Sequence, residues 1–351
     1  MKFINKVQNK TLHNVRSSNL EMYRIFVMLL IVFHHFVVNR YGLWAKMQHD
    51  PLSFNSLFYY IFGMWGKTGI NCFVMITGYF MCESQITIRK FLKLYIEIVF
   101  YCLISFFFLM WYYRSDINIL DLFWNFCPVK GVSSNFMGCF IVFYLLIPFL
   151  NIVYKNISKR EHISLLAILT FVYVLMPMQT KYNTSMNYVS WFIFIYFIAS
   201  YVRKYGVWRE NNSILWGMIT ICSILLAIIS VVVVVYITNG SHAYYFVGEV
   251  NRPLALLVGV VSFIFFKSLQ IKNSKIINII GSCTFGVFLI HTRLSSFLWR
   301  DIFKNENLYD SVICSVLVVL LVYIVCTMID VFRIYFIEIP LFKRIEKVIK
   351  K

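Results

Sequence analysis

Four ionisable side chains stand in a single apolar stretch, NLEMYRIFVMLLIVFHHFVVN, from Asn19 to Asn39: Glu21, Arg24, His34 and His35. At about 100° per residue, Glu21 and Arg24 are neighbours on a helix, three positions apart. Arg24 and His35 are eleven positions apart, close to three full turns, so they share a face about 16 Å apart along the axis. His34 points roughly 80° away from that face. The unperturbed pKa of an imidazole lies near 6.5, so His35 can take a proton from a hydroxyl and return it to a leaving group. Arg24, with Glu21 as its partner, can hold an anionic group or stabilise a cavity. Charged groups inside a membrane are costly and usually face a bundle interior or a water-filled space, which makes this stripe a candidate site. The alternative reading has Glu21 and Arg24 neutralising each other at the interface, with the histidines at the far end of the span.

Other polar groups interrupt apolar runs further along. Lys67, Asn71 and Thr77 lie in GKTGINCFVMITGYF, where Gly66, Gly69 and Gly78 indicate close packing or irregular backbone. Lys67 alone could simply snorkel. His291 lies in GSCTFGVFLIHTRL, at a depth similar to His35, so the two imidazoles could face one cavity; a helix-to-helix hydrogen bond is the plainer reading of His291. Lys67, Asn71, His34 and His291 are the candidates for substrate binding. Arg89, Lys90 and Lys93 open the third apolar run. They serve either as a positive membrane anchor or as a clamp for the phosphates of an anionic donor. No phosphate-binding glycine loop, dinucleotide fingerprint, zinc-protease motif or serine nucleophile elbow occurs, and no metal site is expected.

The elements that must position these groups follow from composition. The chain has 351 residues, 60% hydrophobic and 19% aromatic, with only 14% charged. Soluble domains carry about 25% charged residues. The expected fold is therefore all-α, a polytopic bundle in the lipid bilayer. Apolar runs of bilayer length fall near 22–39, 56–81, 92–112, 136–154, 162–179, 187–202, 213–237, 253–270, 276–297 and 311–336, about ten spans. With an even count both termini share one side. Lys and Arg are about twice as frequent in the segments on the N-terminal side as on the other, which places both termini in the cytoplasm. The formal charge of +18 thus reflects topology, and nucleic acid is not an expected partner. The nine cysteines show no C-x-x-C and read as small packed hydrophobes. The basic N-terminal tail, 1–20, precedes a retained first span rather than a cleaved leader. No loop is long enough to fold alone, so residues 1–351 form one transmembrane domain ending in a basic tail, 338–351.

Several blocks in this order resemble the membrane acyltransferase-3 superfamily, in particular its exopolysaccharide and capsule O-acetyltransferase-like branch. Arg24 and His35 match that family's Arg-x10-His motif on the first helix. GINCFVMITGYFM at 69–81 is similar to its apolar second-helix block, FIVFYLLIPFLN at 140–151 to its fourth-helix block, and SCTFGVFLIH at 282–291 to a further one. Arg89-Lys90-x-x-Lys93 falls where the family has Arg-x-x-Arg. Lysine there keeps the charge but loses the bidentate fork. Phe136 stands where the family has Trp. The resemblance implies transfer of an acyl group, usually acetyl from acetyl-CoA, to a carbohydrate hydroxyl, with His35 essential and Arg24 in support.

The expectation is an integral plasma-membrane O-acetyltransferase acting on a cell-envelope or secreted polysaccharide or a lipid-linked sugar, working beside polysaccharide-synthesis machinery. Acetyl-CoA approaches from the cytoplasm toward Arg89, Lys90 and Lys93. The loops 40–56, 113–135 and 238–252, rich in Trp, Tyr and His, suit sugar stacking on the outer side. The rival reading is a glycan or lipid-linked sugar transporter or flippase, for which the inverted repeats common in transporters are not evident.

Overall fold

A computed structural model describes residues 17–129, 135–178, 186–304 and 311–349. Most of the basic N-terminal tail, Lys130, Lys181, Lys350 and Lys351 lie outside them. Every regular element among the described residues is a helix. The first, α1 (Ser18–Asn39), is central, with its Ser18 end on one face of the bundle and its Asn39 end on the other. Two short helices, α2 (Leu43–His49) and α3 (Phe54–Gly63), lead into α4 (Trp65–Met81). A long α5 (Ile88–Tyr113) returns toward the Asn39 face, and α6 (Ile119–Phe126) packs back against it, the Phe126 carbonyl accepting from the Tyr95 hydroxyl. Then follow α7 (Phe136–Asn156), α8 (Lys159–Thr170), α9 (Tyr188–Tyr205), α10 (Ser213–Thr238) and α11 (Pro253–Ser268). The chain ends with α12 (Lys275–Ser282), α13 (Thr284–Arg293), α14 (Val312–Arg333) and α15 (Ile339–Ile349).

Local sequence explains the starts. Ser53, Thr87, Asn118, Asn135, Ser158, Asn187, Asn212, Ser274 and Ser311 each accept a hydrogen bond from a backbone N–H of the helix that follows. Ser158 and Glu161 complete a reciprocal capping box. At the other ends, side chains from neighbouring helices take over the orphaned carbonyls. The Asn19 amide donates to the carbonyls of Phe266, Lys267 and Leu269, closing α11. The Asn151 amide donates to those of Met81 and Ser84, closing α4.

Among the described residues, seven helices are long and apolar enough to cross a membrane: Ser18–Asn39, Ile88–Tyr113, Phe136–Asn156, Lys159–Met178, Ser213–Thr238, Lys275–Arg293 and Val312–Ile345. The other three expected spans fall short for separate reasons. The 56–81 run is broken at Met64, α9 carries Arg203 and Lys204 in its last turn, and α11 has 16 residues. These three pack inside the bundle, where close approach matters more than apolar length. Gly78 of α4 meets Tyr196 and Ala199 of α9, and Gly259 of α11 meets Asn71, each without room for a Cβ at ordinary contact distance. By contrast α10 exposes Ile214, Met218, Ile221, Leu225 and Ile229, the apolar surface expected against lipid tails. The chain is a multi-pass membrane helix bundle.

Candidate functional site

His35 and His291 meet in the half of the bundle nearer the Asn39 face. His35 Nδ1 lies 2.8 Å from His291 Nε2, and His291 Nδ1 lies 2.6 Å from the Val287 carbonyl of its own helix. The carbonyl can only accept, so the neutral His291 ring carries its proton on Nδ1 and presents Nε2 as an acceptor. His35 Nδ1–H must then donate to it. This chain of two hydrogen bonds leaves the lone pair of neutral His35 on Nε2, which has no protein partner among the described residues. His291 is fully buried and is held in place by α13, whose close contact with α14 depends on Gly286: a Cβ there would strike the Asp330 carboxylate.

The neighbouring candidates take other positions. The Nδ1 of His34 pairs with the Gly63 carbonyl, one of the groups orphaned where α3 stops and α4 starts again, and its ring lies against Gly66. Adjacent histidines thus face different work: His34 holds the break in the second span, while His35 points to the pair. Asn71 is fully buried, donates to the Val250 carbonyl over 2.8 Å and accepts from the Trp191 indole over 2.7 Å. It knots α4 to α9 and to the 239–252 loop, and its carbonyl and one amide N–H are engaged by protein. Lys67 lies 2.7 Å from the Tyr188 hydroxyl and 3.7 Å from the Glu249 carboxylate. It ties that same loop to the bundle.

Toward the Ser18 face, Arg24 and Glu21 form the expected pair at 3.7 Å, with Gly281 of α12 making room for the Glu21 carboxylate. A cavity of about 340 Å³ extends from here. Its rim holds Arg24, Lys90, Lys93 and Glu97, and its walls are Ile31, Ile70, Phe73, Phe140, Tyr144, Phe285 and Phe288. It ends one turn short of the histidine pair, since Ile31 precedes His35 by four residues and Phe288 precedes His291 by three. The Phe288 ring stands edge-on to His291 with centroids 6.0 Å apart. Of the three basic residues opening α5, Lys90 and Lys93 therefore reach the cavity with Arg24. Arg89 turns the other way, its guanidinium 6.0 Å from the Phe342 ring of α15.

A buried charge network beside this rim went unnoticed in the sequence. Arg333 donates to Asp330 at 2.7 Å, to Glu338 at 2.7 Å and to Glu97 at 2.9 Å. Lys93 reaches Glu338 at 2.6 Å, and the Tyr101 hydroxyl donates to Asp330 at 2.6 Å. The signal was present: Glu97, Asp330 and Arg333 are isolated charges in apolar runs. What spacing does not show is that runs more than two hundred residues apart bring them together. A second, more polar cavity of about 380 Å³ opens toward the Asn39 face, between α5, α6 and the end of α13. Sequence reasoning reached only its loop, 113–135, part of which lies outside the described residues.

The described helices thus hold a buried histidine pair one turn beyond a cation-rimmed apolar cavity, with a more polar cavity on the other side of α13. Comparison with known families identifies the class: residues 18–330 match the acyltransferase domain of the acyltransferase-3 superfamily, and the chain belongs to that family. It is a membrane acyltransferase, and the transporter reading is not favoured. No curated protein and no solved structure matches the chain significantly.

Proposed function

We propose that this protein is an O-acetyltransferase of the plasma membrane, transferring acetyl from acetyl-CoA to a hydroxyl of a cell-envelope or secreted polysaccharide, with His35 as general base. The observation that carries the reading is the hydrogen-bond chain Val287–His291–His35, which leaves the lone pair of His35 Nε2 free of protein one turn beyond the end of a cation-rimmed cavity. With the Ser18 face toward the cytoplasm, as the basic loops favour, that cavity suits the donor. Arg24, Lys90 and Lys93 offer charge to its phosphates, and the cavity behind them runs toward the histidine pair, the direction in which the donor's thioester arm would extend. Lys93 is engaged by Glu338 and Arg24 by Glu21, so of the three only Lys90 has no carboxylate partner among the described residues.

His35 Nε2 takes the proton of the acceptor hydroxyl as its oxygen attacks the thioester carbonyl. The new C–O bond forms, the C–S bond breaks, and the proton passes from His35 to the leaving sulfur. As His35 becomes cationic, the His291 Nε2 lone pair stabilises it, the part an acidic residue plays in hydrolase triads. Polysaccharide-synthesis machinery is the expected supplier of the acceptor.

The test is acetyl transfer to polymer by purified protein in nanodiscs, comparing His35→Ala with His34→Ala. Undiminished transfer by a folded His35→Ala protein overturns the assignment.

A further inference from the structure

The cavity on the Asn39 face contains a cation that the protein itself leaves poorly matched. Arg293, the last residue of α13, donates from one terminal nitrogen to the Cys102 sulfur at 2.7 Å, and its Nε is buried without a partner. No carboxylate lies within ion-pair distance of it among the described residues. A thiol is a weak acceptor, whereas guanidinium groups inside membranes ordinarily pair with carboxylates or carbonyls. Arg333, which also packs against α5, shows the ordinary case with its three carboxylates. Arg293 shares its cavity with Ser105, Asp121, Trp124 and Asn125.

These residues form a recognisable set. The planar guanidinium fork fits a carboxylate. The half-exposed Trp124 offers a flat apolar face for a sugar ring, and Asp121 and Asn125 offer polar atoms to its hydroxyls. The cavity lies at the depth of the histidine pair. Arg293 follows His291 by two residues, about 3 Å along the helix axis and about 200° around it, so the two side chains leave opposite sides of α13. Asn135 lines this cavity while the next residue, Phe136, lines the other.

We infer that this cavity is an acceptor subsite for an acidic saccharide residue, its carboxylate held by Arg293 and its ring stacked on Trp124. Arg293 is then a specificity-determining residue that anchors a sugar next to the one being acetylated. The place of the subsite in the reaction rests on the acyltransferase reading, but its binding preference does not.

The test uses full-length protein in phosphatidylcholine nanodiscs. The probes are uronic-acid oligosaccharides, each paired with its carboxyl-reduced neutral form, and binding is read by calorimetry. The acidic member of at least one pair should bind about tenfold tighter or more, as a charge-assisted bidentate contact implies. Arg293→Gln should abolish that preference and Arg293→Lys should keep part of it. Trp124→Ala should weaken both members alike and keep their ratio. Equal binding within every pair, or a preference unchanged in folded Arg293→Gln, overturns the inference. So does competitive displacement of the saccharide by phosphatidylglycerol that depends on Arg293, which would make a lipid phosphate the occupant. Acetyl transfer measured on the same preparation separates the two claims. An intact acidic preference without any transfer defeats the enzymatic reading alone, and transfer without preference defeats the subsite alone.

Discussion

The cavity reached from the Ser18 face is walled by Ile31, Phe73, Phe140 and Phe288 and carries its charges only at the rim, whereas the one reached from the Asn39 face mixes Arg293, Asp121, Asn125 and Trp124 along its walls. Both are of similar size, and both end near the same short stretch of α13. The difference is chemical. An apolar sleeve with cations at its mouth suits the anionic, long-tailed donor proposed above, while a polar pocket with an aromatic face suits the proposed saccharide. The His35–His291 pair lies one turn beyond the apolar cavity and at the depth of Arg293 in the polar one. Under the proposed reading, that asymmetry would let the described helices take a donor from one face and an acceptor from the other.

The most direct way to break this arrangement is at the pair. His35→Ala should lower acetyl transfer by roughly 10²–10⁴-fold, the usual contribution of a positioned general base, while leaving saccharide binding intact. His291→Ala should also cost about 10²-fold or more, because His35 loses the acceptor that fixes its tautomer. His291→Gln, whose amide oxygen can still accept from Nδ1, should recover a measurable part. If His291→Ala and His291→Gln are equally impaired in kcat at matched expression, the acceptor role of His291 is wrong and it is a packing residue.

Next in size is the support beneath the donor cavity. Glu97 and Lys93 belong both to its rim and to the Arg333 network. Arg333→Met removes the cation shared by three carboxylates and should destabilise the protein by about 3–5 kcal/mol, the range for breaking a buried ion pair from one side. Thermal unfolding in detergent reads this directly. A Glu97→Gln change alone should do less, since Arg333 retains Asp330 and Glu338.

How much of this could be read in advance differs between the two cavities. The first helix announced itself: charges in an apolar run, at a spacing that brings Arg24 and His35 to one face, were enough to locate the pair's first member and the rim's first cation. Helix periodicity is local, so it worked within α1. It could not show that His34 turns to the Gly63 carbonyl, because that depends on a break at Met64 that strong apolar character hides. Nor could it show that Asn71 is engaged by Val250 and Trp191, a junction of three segments far apart in the chain. Span counting suffered from the same cause. The segments that fall below the apolar criterion, α3–α4, α9 and α11, lie inside the bundle, where protein rather than lipid is the neighbour. The polar cavity was least legible of all, since α6 is too short to stand out and Arg293 looks like an ordinary flanking charge.

Filling the donor cavity sharpens the contrast further. Ile70→Trp places an indole in the sleeve between Arg24 and the histidine pair. It should raise KM for acetyl-CoA by about tenfold, in line with overpacking of a fitted site, and leave saccharide affinity unchanged. Weakened saccharide binding in this variant would mean that the two cavities are one continuous space.

The smallest expected effect is also the one that decides what the rim does. Lys90 is exposed and already donates to the Ser84 hydroxyl at 2.6 Å and the Gln85 carbonyl at 2.8 Å, closing the turn before α5. A neutral Lys90→Gln loses its attraction for phosphate but can keep a hydrogen bond to the turn. Exposed charge pairs contribute little and are screened by salt, so KM for acetyl-CoA should rise only about threefold at low ionic strength. It should converge with the wild-type value near about 0.5 M salt, where the screening length falls well below its value in dilute buffer. A KM shift that persists unchanged at high salt would assign Lys90 to the turn instead of the donor. The anionic recognition on this face would then fall to Lys93 and to Arg24, the cation that the first helix had placed in register with His35.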